Sequence, residues 1–304
     1  MMNSTIKKSV YIGSLFLLLG CGGNDVKEVK KEETLIPKQE TIVSNNWNIS
    51  FLLDLSDRID PIKNPNESMD FYKRDVGYIN SISEVFSSHL GAKRNRSMND
   101  KIQLFFDPEP LNQEINSISE KLKYTVNKDN ITLELLDEIK NTYSNLPVEI
   151  YNLAINDGNY IGSDTWRFFK NKIKDYCIED GYRNILVILT DGYIYHEATK
   201  FHEGNLSTYI TPKKIRLNKL NNSSWKSKME NDNFGFIPLD QDLSNLEILV
   251  LGINPNKNNP YEDDVIKTYW EKWFTEMDVK RFEIKNADLP SNMEKVIRNF
   301  ILQN

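Results

Sequence analysis

Short, largely apolar runs of strand length recur along the chain at 49–53, 102–106, 185–189 and 246–251, with a weaker one at 281–284. Runs of this kind, apolar at nearly every position, have the form of strands buried on both faces. Between them, apolar residues return at helical spacing over 69–90, 111–126, 133–143, 165–178, 265–277 and 292–302. Strands that alternate with helices predict an α/β fold: a doubly wound, mostly parallel central sheet flanked by helices, Rossmann-like in plan. No internal repeat interrupts the series.

One interval is too long for an ordinary connection. The stretch of about 193–245, ahead of the strand at Leu246, is rich in Asn, Lys and Ser and reads as an insertion. It gathers Lys213, Lys214, Arg216, Lys219, Lys226 and Lys228 with Tyr209 and Trp225. Such a basic patch is either a solvated surface loop or an element that meets a partner or a membrane.

The first twenty residues break the pattern differently. They contain Lys7 and Lys8, no acidic residue, and an apolar run at 15–19 that closes on Leu18-Leu19-Gly20-Cys21-Gly22-Gly23. The run is too short to span a bilayer, and its layout is that of a signal peptide. The segment resembles a bacterial lipobox, which implies cleavage before Cys21, acylation of its sulfur and attachment to a membrane of the cell envelope. Gly22 stands where an inner-membrane retention Asp would stand, so the resemblance favours an outer membrane in a Gram-negative cell. The Lys/Glu-rich segment 27–33 is distantly similar to surface-export signals of Bacteroidetes lipoproteins. Residues 22–46 hold too few apolar side chains to repay ordering and read as a flexible tether, leaving 47–304 as the folded domain.

Charge and cysteine content narrow the function. The formal net charge of −6 becomes −8 once Lys7 and Lys8 are removed, a balance that argues against nucleic acid as a partner. With Cys21 lipidated, Cys177 is the one remaining thiol, so no internal disulfide can form. Its neighbours Trp166, Phe169, Ile173 and Tyr176 recur at helical spacing, which predicts a packed core thiol.

In an open parallel sheet, ligands bind beyond the C-terminal ends of the strands. The strand at 49–53 is followed by Asp54-Leu55-Ser56-Asp57-Arg58, and the strand at 185–189 by Thr190-Asp191-Gly192. A third segment, Gly162-Ser163-Asp164-Thr165, opens the helix before the second of these strands. All three supply hard oxygen donors, which suit Mg²⁺ better than zinc or iron. The order of these pieces resembles the von Willebrand factor type A domain and its metal-ion-dependent adhesion site, from about Trp47 to the C-terminus. That family reads DxSxS in a first loop, a Thr in a second and an Asp, often within TDG, in a third, all around one divalent cation. The resemblance implies metal ligation by Asp54, Ser56, Ser163 and Asp191, with Thr165 and Asp57 as weaker candidates. It also implies a protein partner whose carboxylate completes the coordination.

One position departs from the family. Arg58 stands where the last serine of DxSxS belongs, and a guanidinium offers a cation no acceptor. If it turns into the site, it pairs with Asp54 or Asp191 and replaces the cation; if it turns away, the remaining oxygens and water still serve Mg²⁺. His89, His196 and His202 lack the spacing of a helical zinc motif and read as surface residues, and no GxSxG elbow, phosphate loop or CxxC is present. The expectation is therefore a non-enzymatic binding module. The alternatives are a Mg²⁺-dependent hydrolase or phosphotransferase using Asp54, and a metal-free structural domain with Arg58 salt-bridged in the site.

Overall fold

Strand β1 (Trp47–Leu53) is buried at all of its positions, as its apolar run predicts, and has a parallel neighbour on each side. The structure, a computed structural model, describes residues 45–303. The expected signal segment, Cys21 and the tether as far as residue 44 lie outside the described residues. After β1 come α1 (Phe71–Ala92), β2 (Asn99–Phe106), α2 (Gln113–Glu120), β3 (Lys123–Asn127), α3 (Leu133–Asp157), α4 (Thr165–Asn171), α5 (Ile173–Cys177) and β4 (Arg183–Leu189). The expected insertion holds β5 (His202–Glu203), β6 (Leu206–Ser207), α6 (Pro212–Leu217), α7 (Trp225–Asn231) and β7 (Gly235–Phe236). The chain then runs through β8 (Leu246–Ile253), α8 (Glu262–Glu276), β9 (Arg281–Asn286) and α9 (Pro290–Leu302).

The main sheet has the order β3-β2-β1-β4-β8-β9, parallel throughout except for β3. This is the expected doubly wound α/β architecture. Winding proceeds one way from β1 to β2 and the other way from β1 to β4, so the reversal falls between β1 and β4. Beyond the C-terminal ends of these two strands a crevice opens, the usual ligand position in such sheets.

Side-chain alternation divides the core between the two faces. Ile49, Phe51 and Leu53 join α1, α2, α3 and α9 on one face, whereas Leu52 joins α4, α5 and α8 on the other. The second face also takes in Ile210, Ile215, Leu220, Met229 and Phe236 from the insertion. Phe236 packs edge-on against Tyr269 and Trp270 of α8, at centroid distances of 5.3 and 5.9 Å. Each such pair adds about 0.5–1.5 kcal/mol beyond burial itself. The insertion is thus a folded extension fastened to α8, which corrects the reading of it as a solvated loop.

Several element limits differ from expectation for identifiable reasons. The helix expected over 111–126 stops at Glu120, and the chain turns into edge strand β3. Leu122 and Val126 are buried here, and their spacing of four is compatible with a helical stripe as well as with strand alternation. Helix α3 continues past residue 143, through Pro147, and ends at Gly158 with φ 65°. Burial of Ile150, Tyr151 and Ala154 along the same face outweighs the cost of an interior proline. The helix expected over 165–178 is broken at Lys172, which leaves helical geometry at φ −126°.

Candidate functional site

The site is assembled by three segments at the reversal point of the sheet. Asp54 follows β1, and its N–H donates to the Leu189 carbonyl of β4 at 3.0 Å, which locks the two strand ends together. Its buried carboxylate accepts the Ser56 N–H at 2.8 Å on Oδ1 and the Thr190 hydroxyl at 2.9 Å on Oδ2. Asp54 therefore orients both the first and the third loop.

The third loop owes its shape to Gly192. This residue has φ 96°, and a Cβ there would lie 2.6 Å from Ile266 Cγ2, a place that only glycine fills without strain. Its carbonyl accepts the Trp270 indole N–H at 2.9 Å. So held, Asp191 accepts the Tyr193 N–H on Oδ1 at 3.0 Å. Burial and then the neighbouring Asp54 charge push the Asp191 carboxyl up to about 7, against the pull of Arg58 and the Tyr193 N–H.

The second loop is fixed from two sides. Ser163 and Tyr195 exchange backbone hydrogen bonds of 3.0 Å in each direction, tying the loop to the start of the insertion. Gly162 makes this approach possible, since with φ 86° a Cβ would fall 2.2 Å from the Tyr195 carbonyl oxygen. Asp164 caps α4 through the Arg167 N–H at 3.0 Å and accepts the Thr199 hydroxyl at 2.6 Å. Arg167 in turn binds buried Asp107 at 2.5 Å.

Ser56, Asp57, Ser163 and Asp191 line one cleft of about 670 Å³, together with Tyr160, Tyr193 and Tyr195. Buried Asp54 lies behind these residues and is not part of the lining. Thr165 is also buried, with its hydroxyl 3.3 Å from that of Ser163, so of the two second-loop candidates Ser163 is the one that faces the cleft. Asp57, exposed at the start of a short 3-10 turn, reaches the lining despite alternating away from Asp54 and Ser56.

Arg58 turns inward and lies beside Asp54, one of the two orientations the sequence left open, but its main partner is one the sequence did not name. Its guanidinium is buried, and Nη2 donates to Asp75 Oδ2 on α1 at 2.6 Å and to the Leu189 carbonyl at 2.9 Å. Nε stands 3.6 Å from Asp54 Oδ2, a contact without hydrogen-bond geometry. Burial alone would lower the pKa of the guanidinium, but Asp75 first and Asp54 second overcome that and raise it. Tyr151 donates to the same Asp75 oxygen at 2.9 Å. Arg58 thus pairs chiefly with Asp75, and not with Asp191. Three carboxylates, Asp54, Asp75 and Asp191, face one guanidinium, which leaves two negative charges in excess when all are ionised.

This charge tests the fit of a divalent cation. Arg58 arrives with its own counter-ion, Asp75, and the pair is electrically neutral. The cleft keeps the Asp191 carboxyl as a donor that a bound cation would hold ionised, the Ser56 and Ser163 hydroxyls as neutral ones, and buried Asp54 just behind. Oxygen donors of this kind fit Mg²⁺ with water completing the shell. Among the described residues, no group of three or more His, Cys, Asp or Glu is placed to hold a metal ion, at this cleft or elsewhere, so a cation here would rest on Asp191, the two serine hydroxyls and water.

Sequence reasoning missed Asp75 and Tyr151, and it quoted Thr190 without foreseeing its bond to Asp54. Asp75 carried a signal: it interrupts the buried stripe Phe71, Ile79, Ile82 and Phe86 of α1 at helical spacing, and a carboxylate in such a stripe needs a buried partner. The histidines form no cluster. His202 is exposed, but His89 is half-buried and stacks on Trp47 at 3.7 Å, and half-buried His196 sits 3.5 Å from Asp164, so these two are not the surface residues expected. Cys177 is free and buried, with its thiol pushed up to about 12 by burial, as a packed core thiol should be.

No protein-family model matches the chain, and no curated protein does. Among solved structures, the pilus adhesin SpaC from Lactobacillus rhamnosus GG aligns with a TM-score of 0.37 and 11% identity. The alignment covers 86% of this chain and 30% of the adhesin. An overlap this loose has no bearing on the site.

Proposed function

We propose that the chain is a lipid-anchored binding protein of the bacterial cell envelope, non-enzymatic, whose type A-like domain holds Mg²⁺ in the cleft and engages a protein partner through a carboxylate. The observation that carries this reading is the convergence of Ser56, Ser163 and Asp191 on one cleft while Asp75 absorbs the charge of Arg58. A bound cation would supply positive charge and an open coordination position to an anionic group of the partner. Asp191 provides the anionic oxygen, the two serines provide neutral ones, and Asp54 keeps the first and third loops in register by its hydrogen bonds to Ser56 and Thr190. The lipid on Cys21 and the tether would present this cleft away from the membrane.

Use of Asp54 as a nucleophile is disfavoured, because it is buried behind the cleft with both carboxylate oxygens already engaged. The metal-free reading draws on the proximity of Arg58 to Asp54, at 3.6 Å. Calorimetric titration of Mg²⁺ into the wild type, Asp191→Ala and Ser163→Ala separates the two. Saturable binding in the wild type that is lost in Asp191→Ala and weakened in Ser163→Ala supports the cation site. Absence of binding in all three leaves the metal-free domain.

A further inference from the structure

The cleft adjoins a second cavity of different chemistry. This cavity, of about 350 Å³, shares Lys63, Asp191, Tyr193 and Pro212 with the cleft, so the two meet along the Asp191–Tyr193 segment. Acidic side chains dominate the first cavity, with Asp57, Asp191 and Glu197 against Lys63. In the second the balance reverses: Lys63 and Lys257 stand against Asp191 alone, with Asn254 and Asn256 beside them.

Neither lysine is held by a buried ion pair. Lys63 lies 3.9 Å from Asp57, both half or more exposed, and rests over the Tyr160 ring at 4.5 Å; an exposed pair at that distance is worth little. Among the described residues, Lys257 makes no ion pair. The backbone around them is well anchored. The Asn254 N–H donates to the Asp191 carbonyl at 3.0 Å, and the Asn256 N–H donates to the Tyr193 hydroxyl at 3.1 Å. That hydroxyl donates to buried Glu262 at 2.6 Å. A positively lined cavity is thus held at fixed distance from the proposed cation site on a chain whose net charge is −6.

We infer that this cavity is a second anion subsite, and that the partner is recognised through an acidic peptide segment bearing two carboxylates, one at the Asp191 cleft and one at Lys63 and Lys257. The inference rests on the proposed cation reading for the first carboxylate only. Charge complementarity selects the occupant, and two connected cavities suit a stretch of chain better than one small dicarboxylate. In an extended segment, side chains two residues apart point the same way, about 7 Å from each other. Ile62, 88% exposed and next in the chain to Lys63, offers such a segment apolar contact at the edge.

The test uses the full chain and fluorescent ten-residue Gly/Ser peptides carrying no Asp, one Asp, or two Asp separated by one residue, titrated in Mg²⁺ and in EDTA. The two-Asp peptide is expected to bind the wild type roughly tenfold more tightly than the one-Asp peptide, about the value of one charge-assisted contact. Lys257→Glu should erase that advantage while one-Asp binding and Mg²⁺ binding persist; Lys63→Glu should erase it too, but because Lys63 also lines the cleft its one-Asp and Mg²⁺ binding serve as no control. Equal binding of the two peptides, or an advantage unaffected by both lysine variants, overturns the subsite and leaves the cation reading intact. A two-Asp advantage that survives EDTA and still disappears in Lys257→Glu supports the subsite and overturns the cation reading.

Discussion

Replacing Arg58 probes whether its charge belongs to Asp75. Arg58→Met keeps most of the side-chain stem but leaves Asp75, 1% exposed, without its 2.6 Å partner and Asp54 without its nearest cation. Breaking one side of a buried ion pair costs about 3–5 kcal/mol, a large part of the roughly 5–15 kcal/mol that a domain has in total. For a chain of this size the melting temperature should fall by roughly 10 °C. In Arg58→Met/Asp75→Asn both charges are gone, and the side-chain amide that replaces the Asp75 carboxylate can still accept the Tyr151 hydroxyl, so most of the loss should be recovered. Urea unfolding of the wild type, both single variants and the double variant, followed by tryptophan fluorescence, closes a double-mutant cycle. A coupling of at least about 2 kcal/mol is expected for groups in direct contact. Additive losses in the double variant would refute the assignment of Asp75 as the counter-ion of Arg58.

Three further outcomes follow from the packing. Gly162→Ala places a Cβ 2.2 Å from the Tyr195 carbonyl oxygen; it should cost at least about 1–3 kcal/mol and weaken Mg²⁺ binding, and a variant unaffected in both melts and calorimetry contradicts the role given to this backbone exchange. Glu247 is buried among Arg183 at 2.8 Å, Lys280 at 3.0 Å and Arg281; burial opposes its charge, but Arg183 first and then the other cations hold its carboxyl below the usual range. With the folded value depressed, its stabilisation is present above the unfolded value of about 4.3 and is lost as pH falls through the folded one. The deficit of Glu247→Gln in thermal melts should therefore be large at neutral pH and shrink below about pH 4; a deficit independent of pH is the contrary result. Cys177, its thiol pushed up to about 12 by burial, should resist iodoacetamide in the native protein and react on unfolding in guanidinium, as read by mass spectrometry of its peptide. Rapid native labelling would show the core to be open there.

Much of this architecture is legible in the chain, because strands buried on both faces announce themselves as continuous apolar runs. Those at 49–53, 185–189 and 246–251 lie within β1, β4 and β8, which are buried at every position; those at 102–106 and 281–284 lie within β2 and β9, strands that are only partly buried, contrary to the expectation of burial on both faces. What misleads is ambiguity of period: Ile115, Ile118, Leu122 and Val126 keep a helical interval across the change from α2 to β3. The insertion misleads by composition, since its buried Ile210, Ile215, Leu220, Met229 and Phe236 are thinly spread among exposed Lys and Asn. For the site, Ser56 and Asp191 could be named from strand ends and Ser163 from the segment that opens α4, yet their convergence depends on Gly162 and Gly192, whose roles appear only with the backbone. Asp75 and Tyr151, which decide what Arg58 does, lie 17 and 93 positions away from it in the chain, and no local motif links them.

The central claim is that the cleft of Ser56, Ser163 and Asp191 takes a divalent cation with the buried Arg58 guanidinium close by. An anomalous difference map from crystals grown with Mn²⁺ tests it most directly. The account predicts one strong peak within bonding distance of Asp191 and the two serine hydroxyls, with Arg58 still on Asp75. A cleft without a peak, or Arg58 drawn across to Asp191, would contradict it.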